Sequence, residues 1–207
     1  MIYISKYFDL NQKQKEHFEA LISLYLDWNE KINLISRKDI ENLELHHLVH
    51  SMAISKYIDF KPGSEIIDLG CGGGFPGIML AILFPQSYFL LIDSKNKKIT
   101  VVNEIIQSLG LKNAIGIHGR AEELKNKKFD FVVSRAVAKI DQLKLWSHKL
   151  IKSNSVHSIP NGLITLKGDI ELEKSLLTKS DYYESVALNT YFEEEYFNEK
   201  YLLYVQY

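Results

Sequence analysis

Apolar residues in the first quarter of the chain recur at helical spacing. Phe18, Leu21, Ile22, Tyr25 and Trp28 fall three and four residues apart, as do Leu45, Leu48, Val49 and Met52, so residues 11–58 read as helical. Asn11 followed by Gln14 has the form of a capping box that opens the first helix. Lys61-Pro62-Gly63 ends the pattern. Short apolar runs then begin at residues 65–69, 88–92, 114–117, 131–133 and 163–166, each short enough to be a strand. Helical stretches over 77–84, 97–109 and 137–151 separate them, and Gly110 is placed to cap the second. Strands alternating with helices predict a mainly parallel sheet covered on both faces, an α/β doubly wound fold. Past Lys179 the aromatic runs 183–188 and 201–207, joined across Glu193-Glu194-Glu195, predict a closing C-terminal antiparallel hairpin. Residues 152–160 are polar and read as an exposed loop. The expected organisation is an N-terminal helical extension, residues 1–60, followed by an α/β domain, residues 61–207.

Composition narrows the setting. A chain of 207 residues, 46% hydrophobic and 25% charged, can bury a sizeable core as one domain with an appendage. No stretch reaches the roughly 18 apolar residues of a membrane span, and the first residues carry no long apolar leader, so a cytoplasmic protein without a membrane partner is expected. Cys71 is the only cysteine, which excludes an intramolecular disulfide and a cysteine-based zinc site. His46, His47 and His50 lack a third ligand at metal-binding spacing. They are expected to be solvated or to face RNA, with no metal bound. The net charge of −1 supplies no global field for nucleic acid, so any RNA contact must come from a local patch. Candidates are Arg37-Lys38, the segment from Lys95 to Lys98, Arg135 with Lys139 and Lys144, and His148-Lys149.

The densest chemistry lies after the first strand, where Asp68-Leu69-Gly70-Cys71-Gly72-Gly73-Gly74-Phe75-Pro76-Gly77 places five glycines within eight residues. Such a loop brings backbone close to a ligand at the carboxyl end of a parallel strand. The stretch from Gly72 to Gly77 also satisfies G-x-G-x-x-G, and Asp93 ends the next strand where a ribose-binding acid belongs, so a nicotinamide-dependent oxidoreductase fits this frame. Two features favour S-adenosylmethionine instead. Asp68 gives the D-x-G-x-G-x-G form of class I methyltransferases, where a carboxylate organises the cofactor's ammonium group or the loop amides. Pro76 removes an amide that a pyrophosphate would use. Asp93 is then the acceptor for both ribose hydroxyls, its alternative being a cap on the following helix. Gly119-Arg120-Ala121-Glu122 follows the third strand, where an Ala121 amide and the Glu122 side chain would meet adenine. Cys71 reads as a small loop residue, not a nucleophile.

Further motifs lie at Trp28-Asn29, Asn33-Leu34, His47 with Ser51, Phe75-Pro76-Gly77, Leu91-Ile92-Asp93-Ser94 with Lys97-Lys98, and Arg120-Ala121-Glu122-Glu123. The most specific is Phe129-Asp130-Phe131-Val132-Val133-Ser134-Arg135-Ala136, followed by Trp146 and Leu166-Lys167-Gly168. With these residues the chain resembles the RsmG, or glucose-inhibited division protein B, family of small-subunit rRNA guanine-N7 methyltransferases. His50 stands where the family usually has an acid, and Cys71 where threonine is common. The resemblance implies cofactor contacts at Gly70, Phe75, Asp93, Ala121, Glu122 and Arg135. To these the loop reading adds Asp68 and Gly72. It also implies a monomer transferring a methyl group to N7 of a guanine in the decoding region of 16S rRNA, within the 30S subunit. Guanine N7 presents an in-plane lone pair and no proton, so its methylation needs no general base. No catalytic acid or base is therefore expected, and Arg135 is the positioning candidate, since Ser134-Arg135-Ala136 ends the fourth strand without the Asn-Pro-Pro-Tyr signature of amine methylation. A methyltransferase acting on another RNA or a small molecule, and a catalytically silent RNA-binding assembly factor, remain the other readings.

Overall fold

The alternation of buried side chains along each strand decides the architecture. Ile66 in β1 (Glu65–Leu69) belongs to one apolar cluster and its neighbour Ile67 to another, as period-2 side chains of a sheet covered on both faces must. The computed structural model, which describes residues 1–124 and 126–207, forms one seven-stranded sheet. β2 (Tyr88–Asp93), β3 (Ala114–His118), β4 (Phe131–Arg135) and β5 (Gly162–Lys167) run parallel with β1. β7 (Tyr201–Gln206) inserts antiparallel between β5 and β6 (Tyr183–Ala187), giving the order β3-β2-β1-β4-β5-β7-β6. The chain therefore reverses direction in strand order between β1 and β4, and that switch opens a crevice at the carboxyl ends of these strands.

One face carries α1 (Ile2–Tyr7), α2 (Gln12–Lys31), the short helical turns α3 (His50–Met52) and α4 (Ile54–Tyr57), α5 (Gly77–Leu83) and α6 (Asn96–Ser108). The other carries α7 (Ile140–Ser147) and α8 (Ile170–Ser175). The helical lead shares a core with the sheet, because Phe18, Leu21 and Tyr25 pack in the same cluster as Ile66, Phe131 and Tyr204. Its capping box forms as expected: Asn11 accepts the Gln14 N–H at 2.9 Å and Gln14 accepts the Asn11 N–H at 3.1 Å. Gly110, at φ +64°, ends α6. Among the described residues no helix is long and apolar enough to cross a membrane.

Several elements differ from the sequence expectation. The helix over residues 11–58 is interrupted: α2 stops at Lys31, Ile32 is extended, and the buried Asn29 side chain accepts the Ile35 N–H at 2.9 Å, which diverts the backbone into a turn. Helical geometry resumes at Ile40–Asn42 and widens into a π-helical turn at Leu43–Val49. The helix expected from residue 137 begins at Ile140, because Ala136 turns the chain at φ +53° and Glu173 accepts the Ile140 N–H at 2.7 Å. α1 and α8 were not expected, both being too short to show a period. The acidic segment is no tight hairpin turn. It includes two 3₁₀ turns, and Glu194 accepts from Lys6 at 2.9 Å and Tyr7 at 2.7 Å, tying the end of the chain to its start. Residues 152–160 lack helix and strand, but His157 folds inward to Ser64 at 2.7 Å and packs edge-on to Phe131.

β5 and β7 approach closely at Gly162, where an added Cβ would collide with the Val205 carbonyl oxygen and stand 2.7 Å from the Tyr204 ring. Both obstacles belong to the buried β7, so Gly162→Ala is expected to cost about 2–3 kcal/mol. Urea unfolding measures it, and a loss below about 0.5 kcal/mol contradicts this packing.

Candidate functional site

β1 leads into a loop whose backbone is fixed from below. Asp68 is fully buried, and its Oδ2 accepts the Gly77 N–H at 2.8 Å, which anchors the start of α5 to the strand. Its Oδ1 is buried without a partner. Burial pushes the Asp68 carboxyl up to about 7, against the opposing effects of the Gly77 amide and the Arg135 guanidinium. Of the two roles expected for this residue, the structure contains the loop-amide contact; Asp68 does not line the crevice.

Above it, the loop faces a cavity of about 420 Å³ whose walls include Gly70, Gly72, Phe75, Asp93, Lys98 and Arg135. A smaller cavity of about 100 Å³ continues from Gly70 and Asp93 to Ala121, Glu122, Val137 and Trp146. Shared walls at Gly70, Asp93, Ser94 and Val137 make the two one crevice. Seven of the eight sequence-predicted cofactor residues thus surround it, and Asp68 supports it from beneath. Gly70 allows this shape: at φ +67°, an added Cβ would stand 2.7 Å from Val137. Another cavity, about 710 Å³, opens at the amino ends of the strands near Glu65, Tyr88 and Lys128. That is the wrong end of an open parallel sheet for a ligand site.

Asp93 spends both oxygens on the scaffold, Oδ2 accepting from the Gly72 amide at 2.9 Å and Oδ1 from the Lys95 amide at 2.8 Å. Each carboxylate oxygen keeps a further lone pair for a ligand. Cys71 is buried, and burial pushes its thiol up, away from the reactive thiolate.

Sequence reasoning missed the roof. Tyr25 of α2 donates its hydroxyl to the Gly73 carbonyl at 2.8 Å and stacks on Phe75 at 4.8 Å. The Arg135 guanidinium also lies over the Phe75 ring, its carbon 4.8 Å from the ring centre. One Arg135 nitrogen donates to the His46 carbonyl at 3.0 Å and another to His47 Nδ1 at 2.9 Å. The histidines, expected to be solvated or to face RNA, are instead largely buried and gathered by hydrogen bonds within the protein. Asp39 meets His46 Nδ1 and His47 Nε2, each at 2.6 Å, and the buried His50 meets the Tyr196 hydroxyl at 3.0 Å. The two neighbours on the π-helical turn reach the same carboxylate through different ring nitrogens, His46 by Nδ1 and His47 by Nε2. Burial, with help from the Arg135 charge, pushes His47 down to about 4, so the ring is neutral near pH 7. Among the described residues no group of three or more His, Cys, Asp or Glu could hold a metal ion. Of the expected basic patches, Lys95 and Lys98 line the crevice, Lys144 pairs with Asp181, and Arg135 is half-buried inside the site.

Comparison with known proteins fits this geometry. The family model described as rRNA small subunit methyltransferase G (GidB) matches residues 14–191. The chain belongs to that family. Proteins named Ribosomal RNA small subunit methyltransferase G from Bacteroides thetaiotaomicron and Porphyromonas gingivalis are similar to it, 50% and 49% identical over 204 residues. The alignments cover 98% of this chain in both cases, and 98% and 91% of those proteins. Among solved structures, a variant of MtNAS in complex with S-adenosylmethionine matches with TM-score 0.59 and 13% identity over 93% of this chain and 76% of that one. A precorrin-6y methyltransferase from Geobacter metallireducens matches with TM-score 0.56 and 14% identity over 84% of this chain and 90% of that one. The fold is that of class I methyltransferases, the doubly wound α/β architecture that the alternating elements predicted and the D-x-G-x-G-x-G loop pointed to. Family membership decides against the nicotinamide reading that the glycine frame left open.

The raised Asp68 carboxyl has a consequence for stability. In the unfolded chain it titrates near ~3.9, so between about pH 4 and 7 the folded protein binds a proton that the unfolded chain does not. The stability this proton contributes is fully present below pH 4 and is lost as pH rises through 7. Asn mimics the protonated acid, so Asp68→Asn should match the parent at pH 4 and exceed it at pH 8, by at most roughly 4 kcal/mol. Parallel urea titrations read the difference; a gap that stays constant with pH rejects the assignment.

Proposed function

We propose that this protein transfers a methyl group from S-adenosylmethionine to N7 of a guanine in the decoding region of 16S rRNA, acting in the cytoplasm as a monomer on the 30S subunit. What carries the reading is the state of the side chains at the wide end of the crevice. Both ring nitrogens of His47 are committed to Asp39 and Arg135, and the Cys71 thiol is buried and protonated. Among the described residues at this end neither His47 nor Cys71 is available as a base, and Asp93 is tied to the Gly72 and Lys95 amides, which suits an acceptor that carries no proton to remove.

The residues fit the cofactor. Its adenosine end suits the narrow part of the crevice, where Trp146 offers an aromatic wall, Ala121 and Glu122 face the base, and the spare lone pairs of Asp93 accept ribose hydroxyls. Gly70 and Gly72 allow backbone approach at the methionine end, and Arg135 offers cationic N–H groups to its carboxylate. When bound, the group supplies an electrophilic sulfonium methyl. The protein's part is to align the nucleophile with it and to exclude water, which is worth on the order of 7–11 kcal/mol at best. Phe75, in contact with both the Tyr25 ring and the Arg135 guanidinium, forms an apolar wall for that alignment. Residues 1–60, as a helical extension, roof the site through Tyr25, Leu34 and His47, while Lys95 and Lys98 supply charge for an RNA phosphate at its rim.

Incubation with labelled S-adenosylmethionine and, in parallel, 30S subunits, naked 16S rRNA and bulk tRNA tests the proposal. Label should enter 16S rRNA in the 30S arm, with cleavage specific for 7-methylguanosine locating the base. Transfer to tRNA alone, or to nothing, rejects it. Asp93→Ala is expected to weaken cofactor binding about tenfold or more, through lost ribose contacts and a loosened Gly72 amide. Unchanged affinity in calorimetry removes the ribose role.

A further inference from the structure

The Arg135 guanidinium is held without an anion. Among the described residues no carboxylate lies within ion-pair distance of it; its partners are the His46 carbonyl oxygen at 3.0 Å, His47 Nδ1 at 2.9 Å and the face of Phe75. Desolvation works against its charge, a cost that an incoming anion offsets. Two neutral acceptors thus fix its direction, and each is itself held. The Tyr196 hydroxyl donates to the same His46 oxygen at 3.2 Å, and the His46 ring stacks on Tyr196 at 3.8 Å. For His47 to accept from a guanidinium, its Nδ1 must carry no proton, so the ring proton sits on Nε2, facing Asp39 Oδ2 at 2.6 Å.

We propose that Asp39 and His47 are positioning residues for Arg135: Asp39 fixes the Nε2–H tautomer of His47, and His47 Nδ1 then aims the remaining guanidinium N–H groups at the carboxylate on the methionine end of the cofactor. This rests on the cofactor reading above. Both residues come from the helical lead, so the lead builds the anion-binding half of a site whose adenosine half belongs to the sheet. A defect in the support must therefore appear as a loss of carboxylate recognition, not as a general loss of binding.

Two ligands separate these. S-adenosylhomocysteine carries the amino-acid carboxylate, whereas 5′-methylthioadenosine has the same adenosine and thioether without it. Calorimetry on the full-length protein compares both ligands in the parent, His47→Leu and His47→Gln, with thermal unfolding as a folding check. His47→Leu should weaken S-adenosylhomocysteine binding on the order of tenfold or more while changing 5′-methylthioadenosine binding less than about twofold. Gln can accept from Arg135 and donate to Asp39 at once, so it should restore most of the loss. If the Leu variant does not fold, Asp39→Ala repeats the comparison, because it removes the acceptor that fixes the Nε2–H tautomer of His47. Equal losses for the two ligands, no loss, or Leu and Gln variants that behave alike overturn the inference while leaving the cofactor reading in place. A parent protein that binds neither ligand overturns both.

Discussion

Asp68 Oδ2 and the Gly77 amide, 2.8 Å apart inside the protein, join the end of β1 to the beginning of α5, and the crevice takes its shape from that bond. With the bond in place the intervening loop has little freedom. The added Cβ that Gly77 lacks would stand 2.8 Å from Asp68 Oδ2 and 2.7 Å from Leu91, so helix, carboxylate and β2 meet without room to shift. The loop must then project Gly70, Gly72 and Phe75 beyond the carboxyl ends of the strands, where Asp93 takes the Gly72 amide from the next strand over. A carboxylate with one buried oxygen unpartnered is an expensive means of fixing a loop. An apolar residue could not accept the Gly77 N–H, and a buried amide left unpaired would itself be costly.

The second constraint is aromatic and comes from far along the chain. Phe75 emerges from the loop into contact with both the Tyr25 ring and the Arg135 guanidinium. Tyr25 closes on the loop backbone through Gly73, and Arg135 is closed on the lead through His46 and His47. Tyr196, near the end of the chain, braces the same histidines. Four segments separate in sequence thus converge on one ring and one guanidinium. The tie between Glu194 and the Lys6–Tyr7 pair keeps the last of those segments against the lead.

This convergence explains which parts of the structure the sequence made legible. β1 was read to the residue, and the remaining parallel strands to within one or two at each end, because a buried strand between turn signals is a local pattern. The glycine loop, Asp93 and the Ala121-Glu122 turn were legible for the same reason: each lies at a strand end, where topology alone puts it beside the crevice. Tyr25 looked like any helical core position, since a hydroxyl that finds its acceptor at Gly73 leaves no periodic trace. The interruption after Lys31 was hidden too, because Asn29 acts on a backbone amide six residues away instead of on its own turn. The gathering of His46 and His47 on Asp39 was hidden as well, because it joins two ring nitrogens to a carboxylate seven and eight residues back along an interrupted helix.

The two halves of the crevice therefore differ in origin as they differ in chemistry. The narrow half is assembled from consecutive strand ends and offers hydrogen-bond acceptors and an aromatic wall, which is what an adenosine requires and what many proteins of this fold provide. The wide half takes side chains from the lead, the glycine loop and β4, and it contains the cation, the Phe75 ring and the lysines of the rim. The proposed reaction at a proton-free nitrogen would make little demand on acid–base groups and a large one on alignment, where an error near 1 Å is costly. The part of the site that must be most rigid is thus the part built from long-range contacts. His47, Asp39 and Tyr25 have their polar groups committed to holding other protein atoms, which fits residues whose contribution is to keep Arg135 and Phe75 still.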